Sequence, residues 1–483
     1  MNFRAVFHLI SFLPLVMGAA MLVCLGVGAA LGDSPNAQLA FALAAGFSLA
    51  SGAALWAFTR GPVDLNRRDG VGVVAFGWLT STLLGAIPFV LSGATPSLAD
   101  AWFESVSGFT TTGASVMSDL ESAPRSILLW RAVTQFLGGM GILVLCVAIL
   151  PLLGSGGMQI YKAEAAGPAK DRLTPRIAVT AKLLWGVYIG LTVVTIALLR
   201  WAGMGWFDAV CHAFATTATG GFSTRSASVS AFGNPAIEWI ILVVMFLSGI
   251  NFALHWRLLR GEWSAWARDR EWRLYILILA AAAAVILANA GFRNYGGEMS
   301  PGLREILFTV VSIMTTTGFT THDYTLWPAL SQYLLFGLML IGGCAGSTAG
   351  GIKVVRVLVL AKQVSREIKL FIQPQAIFNI KIGRQIIDPE IVSMISAFFL
   401  IYTLIWATAS AMLAAFTPDL KTAVSAAVSC LGNVGPGLGS VGPAGNYAFF
   451  PDAAKALLSV CMLLGRLELY TLLVILIPRF WRR

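Results

Sequence analysis

The sequence predicts an all-α polytopic membrane protein, and three observations carry that expectation. The composition is too poor in charge for a water-exposed surface, apolar runs long enough to cross a bilayer follow one another, and one pattern of segments recurs four times. Of the 483 residues, 57% are hydrophobic and 12% charged, where a soluble domain carries charge at about a quarter of its positions. Runs such as 9–31, 39–58 and 391–416 each suffice to cross hydrocarbon, which takes roughly 20 apolar residues at the helical rise. The first is too long for the roughly 7 to 15-residue core of a signal peptide. It is expected to stay as a span, paired with the second after the short polar link at 33–36.

Charge sets the orientation. The net charge is +10, and 24 of the 33 Lys and Arg lie in segments 1–8, 60–70, 154–182, 257–273, 353–388 and 479–483. Those segments fall on one side if the N-terminus is cytoplasmic, which is the positive-inside pattern, so both termini are expected inside. This distribution accounts for the basicity without nucleic acid. Twelve of the 23 acidic residues fall on the outer side, among them Asp100, Glu104, Asp208, Glu305 and Asp419. They would raise the local cation concentration or simply solvate helix ends.

After the first two helices, each repeat has an apolar span, a short amphipathic segment opening near an acidic residue, a glycine-rich block, and a second span running into a basic loop. In the first repeat the spans are 71–91 and 127–153, with 97–109 leading into TTTGAS at 110–115. The second has 177–201, 206–217, ATGGFST at 218–224 and 237–259. The third has 274–292, 302–314, TTTGFT at 315–320 and a span from 327 onward; the fourth has 391–416, 420–431, GNVGPGLG at 432–439 and 450–477. Asp100 to Gly113, Asp208 to Gly221 and Glu305 to Gly318 each span 13 residues, whereas Asp419 to Gly435 spans 16, so an insertion is expected in the fourth. The domains are therefore read as a helix pair over 1–66 and pore repeats over 67–160, 161–265, 266–375 and 376–483.

The middle segment of each repeat is too short to span and lies between two spans whose outer ends share a side, so it dips in and returns. Irregular backbone at bilayer depth is tolerated only when buried in protein or lining a cavity. Four re-entrant pore loops around one axis, within about 10 transmembrane helices, would enclose a pore. Its lining is expected at Thr111-Thr112-Gly113, Thr219-Gly220-Gly221, Thr316-Thr317-Gly318 and Asn433-Val434-Gly435. A pore for a monovalent cation must replace hydration oxygens with carbonyls, and glycine permits the backbone that turns carbonyls to an axis. In the second repeat either Gly220 or Gly221 could be the critical glycine; the 13-residue register and Phe222, matching Phe319, favour Gly221.

Two further features stand out. GGCAGSTAGGIK at 342–353 puts five glycines into ten residues of an apolar span. It reads as an intramembrane gating loop over 342–351, comprising Gly342, Gly343, Gly346, Ser347, Thr348, Gly350 and Gly351, with Lys353 behind it; the alternative is a helix packed closely through small residues. Arg466 interrupts the apolar run 456–477. Intramembrane arginine marks an ion path or a buried ion pair, and Glu468, two residues on, would point elsewhere on a helix. The cysteines at 24, 146, 211, 344, 430 and 461 show no paired spacing, hence no disulfide framework or zinc site is suggested. His8, His212, His255 and His322 are isolated, and no HExxH, nucleophile elbow or Walker lysine loop occurs, so no enzymatic site is read. GPGLG at 435–439 lacks the strand, helix and acidic partner of a nucleotide fingerprint.

With its four glycine blocks, GGCAGSTAGGIKVVR at 342–356 and LLGRLELYTLL at 463–473, the chain resembles the Trk/Ktr/HKT superfamily of potassium transporters along essentially its whole length. The two extra N-terminal helices favour the bacterial Trk-type membrane subunit over the eight-helix Ktr type. The resemblance implies potassium uptake across the bacterial inner membrane, with K+ bound at filter carbonyls, a gate at Gly342 to Gly351 and a gate arginine at Arg466. It also implies a homodimer, with a cytosolic TrkA-type regulatory subunit that binds the nucleotide, so that this chain itself holds no cofactor. In related plant transporters a serine at the first filter glycine accompanies sodium preference; Gly113 stands there and implies potassium. Pro436 departs from the aromatic that follows the glycine in repeats two and three. The alternative within transport is a sodium or poorly selective cation pathway, and outside it a membrane scaffold or enzyme.

Overall fold

The structure, a computed structural model, describes residues 1–61, 66–148, 173–291, 299–383 and 385–481. The expected boundary at 160 and most of the basic segment 154–182 lie outside the described residues. Seven helices are long and apolar enough to cross a membrane, and two bent pairs raise this to nine among the described residues. The remaining expected span is represented by Ala329–Leu340, a shorter apolar helix that ends at the glycine loop.

Capping chemistry marks the helix starts. Asn66 and Asp69 form a reciprocal capping box at the head of Arg67–Leu91, and the Asp269 carboxylate accepts from the Trp272 N–H at 2.6 Å at the head of Arg270–Ile286. Each such side chain satisfies amides that the helix leaves without an internal partner. The first helix, expected from residue 9, starts at Phe3 and is stepped at Ser11, whose hydroxyl donates to the His8 carbonyl at 2.6 Å.

The architecture is inside out with respect to a soluble protein. The short helices Leu98–Phe109 and Leu420–Gly432 are buried along nearly their whole length, whereas the long helices expose large apolar residues such as Val23, Phe47, Leu83, Val193 and Leu404. Hydrocarbon is the solvent such a surface requires. A hairpin of two-residue strands, with Lys381 opposite Ile386, is the sole extended pair of named strands among the described residues.

Two expectations need correction. The second spans of repeats two and four are not continuous helices: Pro235–Ser248 meets Phe252–Leu259 at 100°, and Asp452–Arg466 meets Tyr470–Leu476 at 110°. At the second break Glu468 and Leu469 take φ of 58° and 50°, left-handed values that a residue with a Cβ adopts only under constraint. Nor is an insertion needed in the fourth repeat. The N-caps Ser97, Gly205 and Asp419 each stand 16 residues before Gly113, Gly221 and Gly435. Asp419 is thus the cap itself and corresponds to Ser97, not to Asp100; an acidic residue satisfies helix amides equally at the cap or three positions later.

Candidate functional site: a ring of four glycine blocks and the loop beneath it

The four glycine blocks share one backbone conformation. Thr111, Thr219, Thr316 and Asn433 have φ of 52°, 53°, 56° and 57°, and the glycines two residues later, Gly113, Gly221, Gly318 and Gly435, have φ of 81°, 78°, 79° and 98°. The intervening amide of Thr112, Gly220, Thr317 and Val434 donates back to Ser107, Ala215, Ser312 and Ser429 at 2.9, 2.8, 2.9 and 2.8 Å. This shared register makes Gly221, not Gly220, the equivalent of Gly113.

The blocks also close on one another in order. A Cβ added at Gly113 would lie 2.2 Å from the Gly220 carbonyl oxygen, one at Gly221 would lie 1.9 Å from that of Thr317, one at Gly318 2.2 Å from that of Val434, and one at Gly435 2.5 Å from that of Thr112. Each glycine is therefore required twice, by its φ and by the carbonyl of the next repeat that occupies its side-chain space. The result is a closed ring of backbone oxygens on four walls.

Side chains brace the walls from behind. Thr110 and Thr112 share a hydroxyl hydrogen bond of 2.7 Å, Thr315 and Thr317 one of 2.8 Å, and the Asn433 amide donates to Thr112 Oγ1 at 2.9 Å. Where Gly220 stands in place of Thr112 and Thr317, Gln135 fills the space, donating to the Gly220 carbonyl at 2.6 Å and accepting from the Phe222 N–H at 3.1 Å. In the fourth wall, Tyr447 and Ser429 both donate to the Gly435 carbonyl at 2.7 Å. These two hydroxyls brace the wall where Pro436 replaces the aromatic.

Residues 342–351 form a non-helical loop against the inward end of this ring. Its neck is closed by Gly342 N–H to Ile352 O at 2.9 Å and Ile352 N–H to Leu340 O at 3.1 Å. Thr348 lies 3.3 Å from the Thr219 hydroxyl and donates to Thr217 O at 3.1 Å, while Gly350 N–H donates to Thr316 Oγ1 at 2.6 Å. Gly343 and Gly346 approach Gly249 and Asn251 at the break in the second repeat, and Cys344 N–H donates to Gly249 O at 2.9 Å. The Ser347 hydroxyl bonds Cys344 O within the loop at 2.6 Å, and Lys353 Nζ bonds the Ala349 carbonyl. Gly351, with φ of 64°, lies against Gly342 across the neck.

Arg466, 2% exposed, ends the outer half of the fourth repeat's broken helix. Its guanidinium donates to Thr348 O in the loop at 2.7 Å and to Gly138 O at 3.3 Å. Glu468 turns away from it at the break and pairs with Arg356, just past the loop.

The sequence model of the family described as "TrkH: Cation transport protein" matches residues 37–288 and 301–483. The chain belongs to the TrkH family. The relative named "Trk system potassium uptake protein TrkH" from Salmonella typhimurium strain LT2 is 42% identical over 487 aligned residues covering 100% of both chains. The one named "Trk system potassium uptake protein TrkG" from Escherichia coli K12 is 34% identical, covering 99% of each. The crystal structure of the potassium transporter TrkH from Vibrio parahaemolyticus superimposes with a TM-score of 0.91 at 38% identity, covering 100% of both chains. This TrkH-family chain is accordingly a membrane protein with several spans.

Within this TrkH-family site, all four blocks, the loop and Arg466 come together. Three of the outer acidic residues have partners of their own: Asp100 is buried against Lys455 at 2.5 Å, Asp208 accepts from Thr224 at 2.6 Å, and Asp419 caps its helix. Sequence reasoning passed over Gln135, Arg131 and Glu271, grouped Glu104 with the outer acidic residues without its partner Arg131, and read as isolated His212, whose ring lies 3.0 Å from Ser223 Oγ. The run WRAVTQFLGG at 130–139, with an arginine and a glutamine inside an apolar span, was the available signal.

Proposed function

We propose that the chain takes up potassium, the activity for which its relatives are named, and that it does so through the axis ringed by Gly113, Gly221, Gly318 and Gly435. The observation that carries this reading is the ring itself: four walls of carbonyl-bearing backbone, each leaning on the next. Carbonyl oxygens in such a ring replace the hydration shell of a dehydrated cation. Each wall follows the C-terminal end of a buried short helix, where the peptide dipoles concentrate partial negative charge. Glycine at all four ring positions, Gly113 included, supports potassium over sodium. The driving force is the membrane potential, about 2.3 kcal/mol per charge per 100 mV.

The loop from Gly342 to Gly351 and Arg466 act as the gate. Thr348 and Gly350 sit against the inward residues Thr219 and Thr316, and the Arg466 cation, bonded to the loop, repels a cation coming from above. Opening requires the loop to leave these partners. A cytosolic nucleotide-binding subunit of TrkA type, docked on the basic cytoplasmic segments of a homodimer in the bacterial inner membrane, is the regulator we assign to that step. The chain contributes no enzymatic chemistry and holds no cofactor in this reading.

Flux of potassium, rubidium, sodium and lithium into proteoliposomes, with Gly113→Ser alongside, tests the filter. Potassium and rubidium should run well ahead of sodium, and the substitution should erode the difference. If no cation moves even when residues 342–351 are deleted, the pore reading is wrong and a scaffold remains.

A further inference from the structure

Glu271 is a buried carboxylate, 2% exposed, that neither the ring nor the arginine uses. It stands in the first turn of Arg270–Ile286, the opening helix of the third repeat. One of its oxygens, Oε1, accepts from the Ala345 N–H at 2.8 Å and from the Val355 N–H at 3.0 Å. Ala345 belongs to the glycine loop, and Val355 is the second residue of the helix Val354–Ile372 that leaves it. A single oxygen thus joins the entry limb of the loop to its exit.

We propose that Glu271 is the positioning residue that holds the glycine loop closed. The inference rests on the gating role proposed above and adds the element that sets the loop's resting position. Besides Glu271, the loop keeps its neck bonds, and the limb at 344–346 is tied to the second repeat by Cys344 N–H to Gly249 O at 2.9 Å and by Phe252 N–H to Gly346 O at 3.1 Å. Both of those partners sit at the 100° break in the second repeat, an element that itself changes direction there. Glu271 instead anchors the limb to an unbroken helix that crosses the membrane. Hydrogen bonds from backbone amides to a carboxylate are among the stronger ones, and burial leaves these amides no water as a substitute partner.

Geometry matters here more than charge. An amide oxygen in Glu271→Gln occupies the position of Oε1 and accepts the same two N–H groups, whereas the carboxylate of Glu271→Asp is withdrawn by one methylene and cannot reach both. A role confined to helix capping would change stability and leave flux alone.

Rubidium influx into proteoliposomes reconstituted without any regulator is measured for the wild type, Glu271→Ala, Glu271→Asp, Glu271→Gln and a variant lacking residues 342–351. Maleimide labelling of Cys344, buried beside the latch, is read in parallel by peptide mass. Glu271→Ala removes both hydrogen bonds and should raise basal influx at least roughly ten-fold, the equilibrium effect of losing even one hydrogen bond to a charged acceptor, and should expose Cys344. Glu271→Asp should fall between, and Glu271→Gln should stay near wild type. If the Ala variant is not recovered intact, the Asp and Gln pair decides by the same ordering. A leak in the loop deletion with wild-type influx and an unlabelled Cys344 in the Asp and Ala variants overturns the latch and leaves the gate standing. Equal leaks in Gln and Ala also overturn it. No leak in the loop deletion overturns the gate itself.

Discussion

Arg131 and Glu104 form an ion pair of 2.7 Å, with their side chains 2% and 0% exposed, that binds two walls of the ring together. Glu104 also accepts from Ser115 Oγ and the Val116 N–H at 3.0 Å, while Arg131 donates to Ser223 O at 2.9 Å and lies 4.0 Å over the Phe222 ring. Ser115 and Ser223 are each two residues past a ring glycine, so the pair fixes the relative height of the outward ends of walls one and two.

Arg131→Ala leaves Glu104 as an uncompensated buried charge, and breaking such a pair costs about 3–5 kcal/mol. Thermal unfolding in detergent should show that loss. The double variant Arg131→Leu with Glu104→Leu should recover much of the stability while its rubidium-to-sodium flux ratio still falls. Recovery of both would reduce the pair to a packing element.

Ring glycines should be intolerant where helix glycines are not. Gly435→Ala places a methyl 2.5 Å from the Thr112 oxygen at a φ of 98°, and selective flux should collapse. Gly190 lies in Leu173–Trp201, where an added Cβ meets nothing within 4 Å. Gly190→Ala should leave flux unchanged and stabilise by up to about 1 kcal/mol through helix propensity. Equal flux in the two variants would be incompatible with a backbone filter.

Arg466→Lys should behave like Arg466→Ala and not like wild type. The guanidinium bridges Thr348 O and Gly138 O, a forked demand that an ammonium meets poorly. Losing a hydrogen bond to a charged group costs about 1.5–3 kcal/mol, so basal influx should rise roughly ten-fold or more in both variants. Full retention of closure in the lysine variant would mean that charge alone suffices.

On the outer face, the Ser226 hydroxyl and N–H both donate to Glu121, the latter at 2.9 Å, joining the outer loops of repeats one and two. These bonds hold the Glu121 carboxyl below its ordinary range. A depressed folded value means that the clasp contributes fully above the ordinary carboxylate pKa, about 4.3, and is lost as pH falls through the lower folded value. Hydrogen exchange at the Ser226 amide, corrected for intrinsic rate, should stay slow through the neutral and mildly acidic range and accelerate only once pH falls below the ordinary carboxylate range. Glu121→Gln should abolish that acceleration.

What the sequence disclosed and what it hid follow one physical division. The blocks ending at Gly113, Gly221, Gly318 and Gly435 were legible because a backbone constraint leaves its mark at the residue that bears it. The 13-residue register and Phe222 favoured Gly221 over Gly220, and it is Gly221 that takes the positive φ of 78°. Asp419 was placed in the wrong register because aspartate serves a helix start at two positions. The break at Glu468 and Leu469 was hidden for the opposite reason to the ring: residues with a Cβ hold left-handed backbone there, with no glycine or proline to announce it. Arg131 with Glu104, and Glu271 with Ala345 and Val355, are distant in sequence, and only the packed fold joins them.

The ring has a sense of rotation. Each glycine's vacant side-chain position is taken by the wall that follows it in the chain, and the fourth leans back on the first. A substituent on wall one therefore pushes wall two before it disturbs its own oxygens, and the displacement runs one way around the aperture. Four copies of one peptide could be altered only all at once. Four unlike walls on one chain let a single replacement move one quarter of the aperture, and the quarter that moves is the neighbour of the one replaced.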